Sequence, residues 1–238
     1  MNQDHKEVKK LLFVLPNAFT ALNMGCGFFS ILLVQKGLTY QGCMLLMLGA
    51  IFDSVDGRIA RLTGTQSNFG EQFDSISDVV SFGVAPALIV YHQFLSELGR
   101  PGMIVAFIYC LAGSLRLARF NANISKVDSS YFQGVPIPAG ALALVGYTLF
   151  MLETNLTADV KYITIPYVLL YSFLMISSIP FFSFKKAEWL TKYSKQVLLV
   201  LLLVLISIFL YEEIMIFATI SVYTFLNLVY FFWKKIRK

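Results

Sequence analysis

The sequence predicts an all-α integral membrane protein, a bundle of about eight transmembrane helices with a short N-terminal interfacial helix. Three observations predict it. Of the 238 residues, 57% are hydrophobic and only 14% are charged, against roughly 45 to 50% and about 25% in soluble domains. Charge-poor runs long enough to cross a bilayer recur along the whole chain. The basic residues also fall in alternate connecting segments, as expected of a multi-spanning protein whose lysines and arginines stay on one side.

A crossing helix needs about 20 mostly apolar residues, and segments near 13–35, 39–62, 72–96, 101–120, 134–152, 161–184, 196–211 and 213–233 qualify. Residues 1–12 form an N-terminal cytoplasmic segment. Within it, both charges and the apolar Val8, Leu11 and Leu12 suit a helix lying on the membrane surface. Residues 13–238 then make one transmembrane domain. Only Tyr211, Glu212 and Glu213 separate the last two runs, which implies a tight hairpin. The glycines and prolines of 134–140 either start a helix near Pro136 or serve the substrate.

With an even number of spans, both termini lie on the same side. Of the nineteen lysines and arginines, all but Lys36, Arg100 and Lys161 fall on the side of the termini. That places the chain as a multi-pass protein of a cell membrane with both ends in the cytoplasm. The net charge of +5 is spread between hydrophobic runs, a membrane pattern and not a nucleic-acid one. Cys26, Cys43 and Cys110 lie inside apolar runs with neither metal-ligand spacing nor an even count, so they are packing residues.

Asp53, Asp56, Asp74 and Asp78 lie in or beside two hydrophobic helices. An aspartate costs about 3 kcal/mol at the centre of such a helix, so four of them call for a compensating partner and are functional candidates. The charge-free runs 37–52 and 79–96 correspond to roughly 24 to 27 Å of helix, which puts both pairs at similar depth near the cytoplasmic boundary. Arg116 reaches that level from another helix. Asp53, Asp56, Gly57 and Ala60 share one helical face, and Asp74 and Asp78 share another. Oxygen ligands without histidine or cysteine suit Mg²⁺, Mn²⁺ or Ca²⁺. Gly57 and Ala60 leave room for a ligand beside the carboxylates. A pair of such ions suits phosphoryl chemistry, and no glycine-rich phosphate loop of the soluble kind is present.

Asp53-x-x-Asp56-Gly57-x-x-Ala60-Arg61, eight residues, then Gly70-x-x-x-Asp74-x-x-x-Asp78, resembles in full the motif of the CDP-alcohol phosphotransferases. The resemblance implies transfer, dependent on two Mg²⁺ or Mn²⁺ ions, in which CMP leaves a CDP-linked lipid and an alcohol oxygen replaces it. It implies Asp53, Asp56, Asp74 and Asp78 as metal ligands, with Asp78 also the catalytic base. It further implies Asp53, Gly57, Ala60, Arg61, Thr65 and Gly70 as the residues that hold the CDP moiety, and a homodimer as the assembly.

Softer motifs are similar to the membrane-embedded phosphatidylserine synthases within that family. They are Leu15-Pro16-Asn17-x-x-Thr20-x-x-Asn23, Phe82-Gly83-x-Ala85-Pro86, Arg116-x-x-Arg119-Phe120-Asn121 and Phe132-x-Gly134-x-Pro136-x-Pro138-Ala139. They imply CDP-diacylglycerol and L-serine as substrates, with membrane lipids around the protein and no nucleic acid. Arg116, Arg119 and Asn17 are candidates for contact with serine or phosphate. An arginine fork suits a carboxylate and a phosphate equally, and the two arginines also fit plain positive-inside anchoring. Asn17, Thr20 and Asn23 share a face that also fits ordinary bonding between membrane helices. Two other functions remain open at this point: a relative that uses glycerol 3-phosphate, an inositol compound or choline, and an ion-coupled transporter with intramembrane carboxylates.

Overall fold

A long apolar run followed by Lys36-Gly37 folds as one helix with a sharp end, and the same logic repeats along the chain. A computed structural model describes residues 2–123, 131–154, 160–182 and 210–237, together with 202, 206 and 207. Helix α1 spans Asn2–Gln35, α2 Thr39–Thr63, α3 Asn68–Leu98, α4 Arg100–Asn123, α5 Ile137–Thr154, α6 Val160–Ile176 and α7 Glu212–Ile236. Two short strands, β1 (Tyr131–Gln133) and β2 (Pro180–Phe182), pair antiparallel with Phe132 opposite Phe181.

Among the described residues, five helical stretches are long and apolar enough to cross a membrane: Val14–Gln35, Asn68–Leu98, Arg100–Ala122, Ile137–Thr154 and Glu213–Ile236. Val160–Ile176 is a shorter apolar helix. The 25 residues of α2 give it about 37 Å of length, with its charges gathered toward its C-terminal end. Helices therefore occupy seven of the eight expected segments. The remaining one, 196–211, falls largely outside the described residues, as do Lys126 and the loop Lys185–Lys195. The chain is a helical membrane bundle, and its surface agrees: Phe107, Phe173 and Phe225 are each more than 60% exposed, as lipid-facing side chains are.

Two boundaries differ from expectation. α1 runs unbroken from Asn2, so no break separates the N-terminal segment from the first span. α6 ends at Ile176 instead of near 184, because Pro180 disfavours helix in the residue before it and cannot donate within one. The chain instead turns into β2, and Gly134 and Val135 donate to the carbonyls of Ile179 and Leu174 at 2.9 and 3.1 Å. Gly134 has φ +71°, and a Cβ there would lie 2.8 Å from the Leu174 carbonyl oxygen, so the approach needs glycine. α5 starts at Ile137, with Pro136 accepting from Gly140 at 2.9 Å, which is the helix-starting role considered for this proline.

α3 is not a uniform α-helix. It is α-helical over Asn68–Asp78, widens to a π-helix over Val79–Val84 immediately after Asp78, and widens again over Tyr91–Leu95. Pro86 has no N–H to offer the Phe82 carbonyl four residues earlier. The buried Tyr109 hydroxyl of α4 donates to that oxygen at 3.3 Å.

The core lies between α3, α4, α5 and α6, where Phe82, Tyr109, Leu144, Tyr171 and Phe181 are buried together. A second cluster, with Val34, Cys43, Leu46, Ile89, Leu149 and Ile216, joins α1 and α2 to α3, α5 and α7. Cys26, Cys43 and Cys110 are all reduced, and the first two are buried. Small residues let helices approach: a Cβ on Gly146 would lie 2.8 Å from the Phe217 backbone nitrogen of α7. α1 packs along both α2 and α3. Ser77 and Ser81 of α3 donate to the carbonyls of Thr20 and Asn23 of α1 at 3.1 and 2.9 Å.

Candidate active site

α2 stops where Gly64 adopts φ +65° and its N–H returns to the Ala60 carbonyl, a left-handed cap that glycine takes without strain. Only Thr65, Gln66 and Ser67 follow before α3 begins. The Ser67 hydroxyl accepts from the Gly70 N–H at 3.0 Å, an N-cap that satisfies one orphan donor of the new helix. This short connection makes α2 and α3 antiparallel neighbours. Asp53 and Asp56, two to three turns before the end of α2, therefore meet Asp74 and Asp78, two to three turns into α3.

One carboxylate oxygen from each of Asp53, Asp56 and Asp74 lies within 4.8 Å of the other two. Asp78 stands beside this triad, its carboxyl within hydrogen-bond reach of that of Asp53. Oδ1 of Asp74 and Oδ1 of Asp78 are buried with no hydrogen-bond partner among the described residues. Like charges at such separations repel, and buried acceptors without partners are costly. An all-oxygen cluster with open lone pairs answers both costs by holding a hard divalent cation, so the donor set fits Mg²⁺, Mn²⁺ or Ca²⁺.

α1 supplies donors to the same carboxylates. Thr20 Oγ1 donates to Asp56 Oδ2 at 2.8 Å, and Asn23 Nδ2 donates to Asp53 Oδ1 at 3.3 Å. Both residues are buried.

A cavity of about 390 Å³ opens beside the cluster. Its walls include Gly57, Ala60, Arg61, Thr65 and Gly70, all expected around a CDP moiety, with Asn17, Asp56 and Asp74. Asp53, Asp78, Arg116 and Arg119 are not among its lining residues. A Cβ on Gly57 would meet nothing within 4 Å, so this residue faces open space. Arg61 Nε donates to the Gly57 carbonyl at 2.9 Å, which anchors the stem of its guanidinium. Pro16, Thr20 and Phe120, which belong to the softer motifs, also line it, and Gln66, Ser67 and Glu71, which were not singled out from sequence, complete the wall. Of the last three, only Ser67 carried a local signal, as a serine N-cap ahead of a helix.

Arg116 and Arg119, near the C-terminal end of α4, part company. Arg116 is 7% exposed, its Nε is unpartnered among the described residues, and Asp78 is the carboxylate whose charge acts on it. Its guanidinium carbon lies 6.0 Å from the centre of the Phe120 ring. Arg119 Nη2 donates to the Ile176 carbonyl at the C-terminus of α6. A cation there offsets the negative end of the helix.

The sequence model of the CDP-alcohol phosphatidyltransferase family matches residues 13–227. The chain belongs to this family. It is 36% identical over 220 residues to the CDP-diacylglycerol–serine O-phosphatidyltransferase of Helicobacter pylori, a match that covers 92% of this chain and 90% of that protein. Over 140 residues it is 49% identical to the enzyme of the same name from Methanocaldococcus jannaschii, covering 59% of this chain and 62% of that one. The archaetidylserine synthase of Methanothermobacter thermautotrophicus is 37% identical over 169 residues, covering 70% and 69%. As a CDP-alcohol phosphatidyltransferase the chain is a transferase, and the ion-coupled transporter is set aside.

Proposed function

We propose that this protein is a phosphatidylserine synthase, transferring the phosphatidyl group of CDP-diacylglycerol to the hydroxyl of L-serine with release of CMP. The chemistry is carried by one observation: Asp56 and Asp74, whose oxygens lie within 4.8 Å of each other and of one from Asp53, line a cavity together with Gly57, Ala60, Arg61, Thr65 and Gly70. The choice of serine is supported by the names of the relatives, above all the Helicobacter pylori enzyme matched along nearly its whole length.

Two Mg²⁺ or Mn²⁺ ions, held by Asp53, Asp56, Asp74 and Asp78, would neutralise the diphosphate and clamp its oxygens, chemistry that Ca²⁺ can compete for by occupying the same ligands. The chain's own residues do the rest. Gly57 and Ala60 let the CDP moiety approach the α2 backbone. Arg61, anchored through Nε, directs its terminal nitrogens to phosphate oxygens, and Thr65, Gly70 and Asn17 border the same space. Asp78 accepts the proton of the serine hydroxyl. A bond then forms between that oxygen and the phosphorus carrying diacylglycerol, while the bond from that phosphorus to the CMP oxygen breaks and CMP leaves.

Arg116 is the cation for the serine carboxylate. A phosphorylated acceptor would need additional positive charge, whereas Arg119, the other arginine on this part of α4, is engaged at Ile176. The basic-residue asymmetry supports an active site and both termini facing the cytoplasm of a cell membrane. Assembly as a homodimer belongs to the same reading.

Gly57→Ala has two opposed expected outcomes. Alanine gains about 0.5 to 1 kcal/mol in a helix, and its methyl has room, so the melting temperature stays level or rises. The same methyl enters the space of the CDP moiety, and overpacking of about 1 to 3 kcal/mol raises the KM for CDP-diacylglycerol roughly tenfold or more. Melting curves and lipid titrations on the same preparation check both.

The function itself is tested by CMP release from CDP-diacylglycerol by the purified protein with Mn²⁺, comparing serine, glycerol 3-phosphate, inositol phosphate and choline. Release that depends on serine, with phosphatidylserine as the lipid product, is expected. Equal release with glycerol 3-phosphate or an inositol compound would refute the serine assignment and leave the family chemistry standing.

A further inference from the structure

α1 touches both aspartate-bearing helices through the same two residues. Thr20 donates its hydroxyl to Asp56 of α2 at 2.8 Å, and its backbone carbonyl accepts from Ser77 of α3 at 3.1 Å. One turn on, Asn23 donates its amide to Asp53 of α2 at 3.3 Å, and its carbonyl accepts from Ser81 of α3 at 2.9 Å. All four polar residues of α1 and α3 are buried, at 3% exposure for Thr20 and 0% for Asn23, Ser77 and Ser81. A helical carbonyl keeps a second lone pair after accepting its own i+4 N–H, which is what the serines use. Ser77 and Ser81 each follow an aspartate, Asp74 and Asp78, by three residues, so fixing the serines against α1 fixes the face that carries those aspartates.

The close approach is built in on both sides. A Cβ on Gly27 of α1 would lie 2.6 Å from Ser81 Oγ and 2.7 Å from Ser81 Cα, and one on Gly49 of α2 would lie 3.2 Å from Asn23 Oδ1. A side chain at Gly27 would force Ser81 away from α1, and one at Gly49 would crowd the Asn23 amide. The Thr20 and Asn23 bonds share a polarity, because both donate to a carboxylate. Each thereby takes one named oxygen, Asp56 Oδ2 or Asp53 Oδ1, and leaves the remaining lone pairs of that carboxylate to a cation. Without these donors, three carboxylates within 4.8 Å have every reason to rotate away from one another when no cation is bound.

We infer that α1, which itself carries no carboxylate of the cluster, sets the geometry of the divalent-ion centre: Thr20 and Asn23 are positioning residues that orient Asp56 and Asp53, while their carbonyls hold α3 in register through Ser77 and Ser81. The inference rests on the reading of the aspartate cluster as a metal centre. Partners that orient a ligand of this kind are worth 10- to 100-fold in metal affinity, whereas plain bonding between membrane helices leaves metal affinity alone and affects stability.

The experiment is a Mn²⁺ titration of the purified full chain in detergent, read by the electron paramagnetic resonance signal of free Mn²⁺, alongside CMP release at varied Mn²⁺. Thr20→Val, nearly equal in volume but without the hydroxyl, is expected to raise the Mn²⁺ Kd 10- to 100-fold, with kcat largely recovered at saturating Mn²⁺. Thr20→Ser is expected to restore wild-type affinity. Asn23→Ala, read in the same way, provides the second measurement from the other rung if Thr20→Val does not yield a monodisperse protein. Wild-type Mn²⁺ affinity in Thr20→Val and Asn23→Ala, with the wild type binding normally, would overturn the positioning role and spare the metal centre. No Mn²⁺ binding by the wild type at all would remove the metal centre and this inference with it.

Discussion

Asp78→Asn is expected to remain a folded membrane protein and to lose CMP release by about a thousandfold, within the span that general-base catalysis contributes. The amide matches the carboxylate in shape, so packing after the α-helical part of α3 is preserved. It removes one of four like charges gathered at the α2–α3 contact, so the melting temperature is expected to stay level or rise as repulsion falls. What the amide cannot do is accept the serine proton. The loss therefore appears in kcat while KM for CDP-diacylglycerol changes little, because Asp53, Asp56 and Asp74 remain. Steady-state CMP release with size-exclusion and melting controls checks this, and near-normal turnover would rule out the base role.

Arg116→Met is expected to raise the KM for serine by roughly 100-fold. Methionine keeps much of the apolar stem in a position that is 7% exposed but removes the guanidinium that would bind the substrate carboxylate. Truncating one partner of a buried, hydrogen-bonded charge pair costs about 2 to 5 kcal/mol, and each 1.4 kcal/mol is about tenfold. Arg116→Lys keeps the charge without the planar fork and is expected to fall between. Arg119→Met is the internal comparison. It removes the cation at the C-terminus of α6, so it is expected to lower the melting temperature with KM for serine near wild type. A rise in KM for CDP-diacylglycerol instead of serine in Arg116→Met would assign Arg116 to the diphosphate.

The parts of this molecule that local sequence dictates were legible in advance. Run length gave the helices, and the spacing of Asp53 and Asp56, and of Asp74 and Asp78, put each pair on one face because helical periodicity is a local property. Gly57, Ala60, Arg61, Thr65 and Gly70 do line one cavity, since a three-residue turn leaves α2 and α3 little freedom. The features that eluded sequence reasoning depend on contacts distant along the chain. Arg116 and Arg119 look equivalent on α4, and only the end of α6, 57 residues beyond Arg119, separates them. Thr20 and Asn23 read as a polar face, but nothing local names Asp56 and Asp53 as their partners or reveals that their carbonyls receive Ser77 and Ser81. The β1–β2 ribbon escaped for the same reason: three residues per strand carry too little periodicity to be seen.

If carboxylates from two neighbouring helices form one centre for divalent ions, the purified chain should bind a countable number of Mn²⁺ ions close together. Electron paramagnetic resonance of the purified chain with CDP-diacylglycerol is expected to show two Mn²⁺ per chain with a magnetically coupled spectrum. That coupling is expected to vanish in Asp56→Asn and Asp74→Asn. A wild-type protein that binds no Mn²⁺, or a coupled signal that survives both substitutions, would show that these carboxylates do not form such a centre.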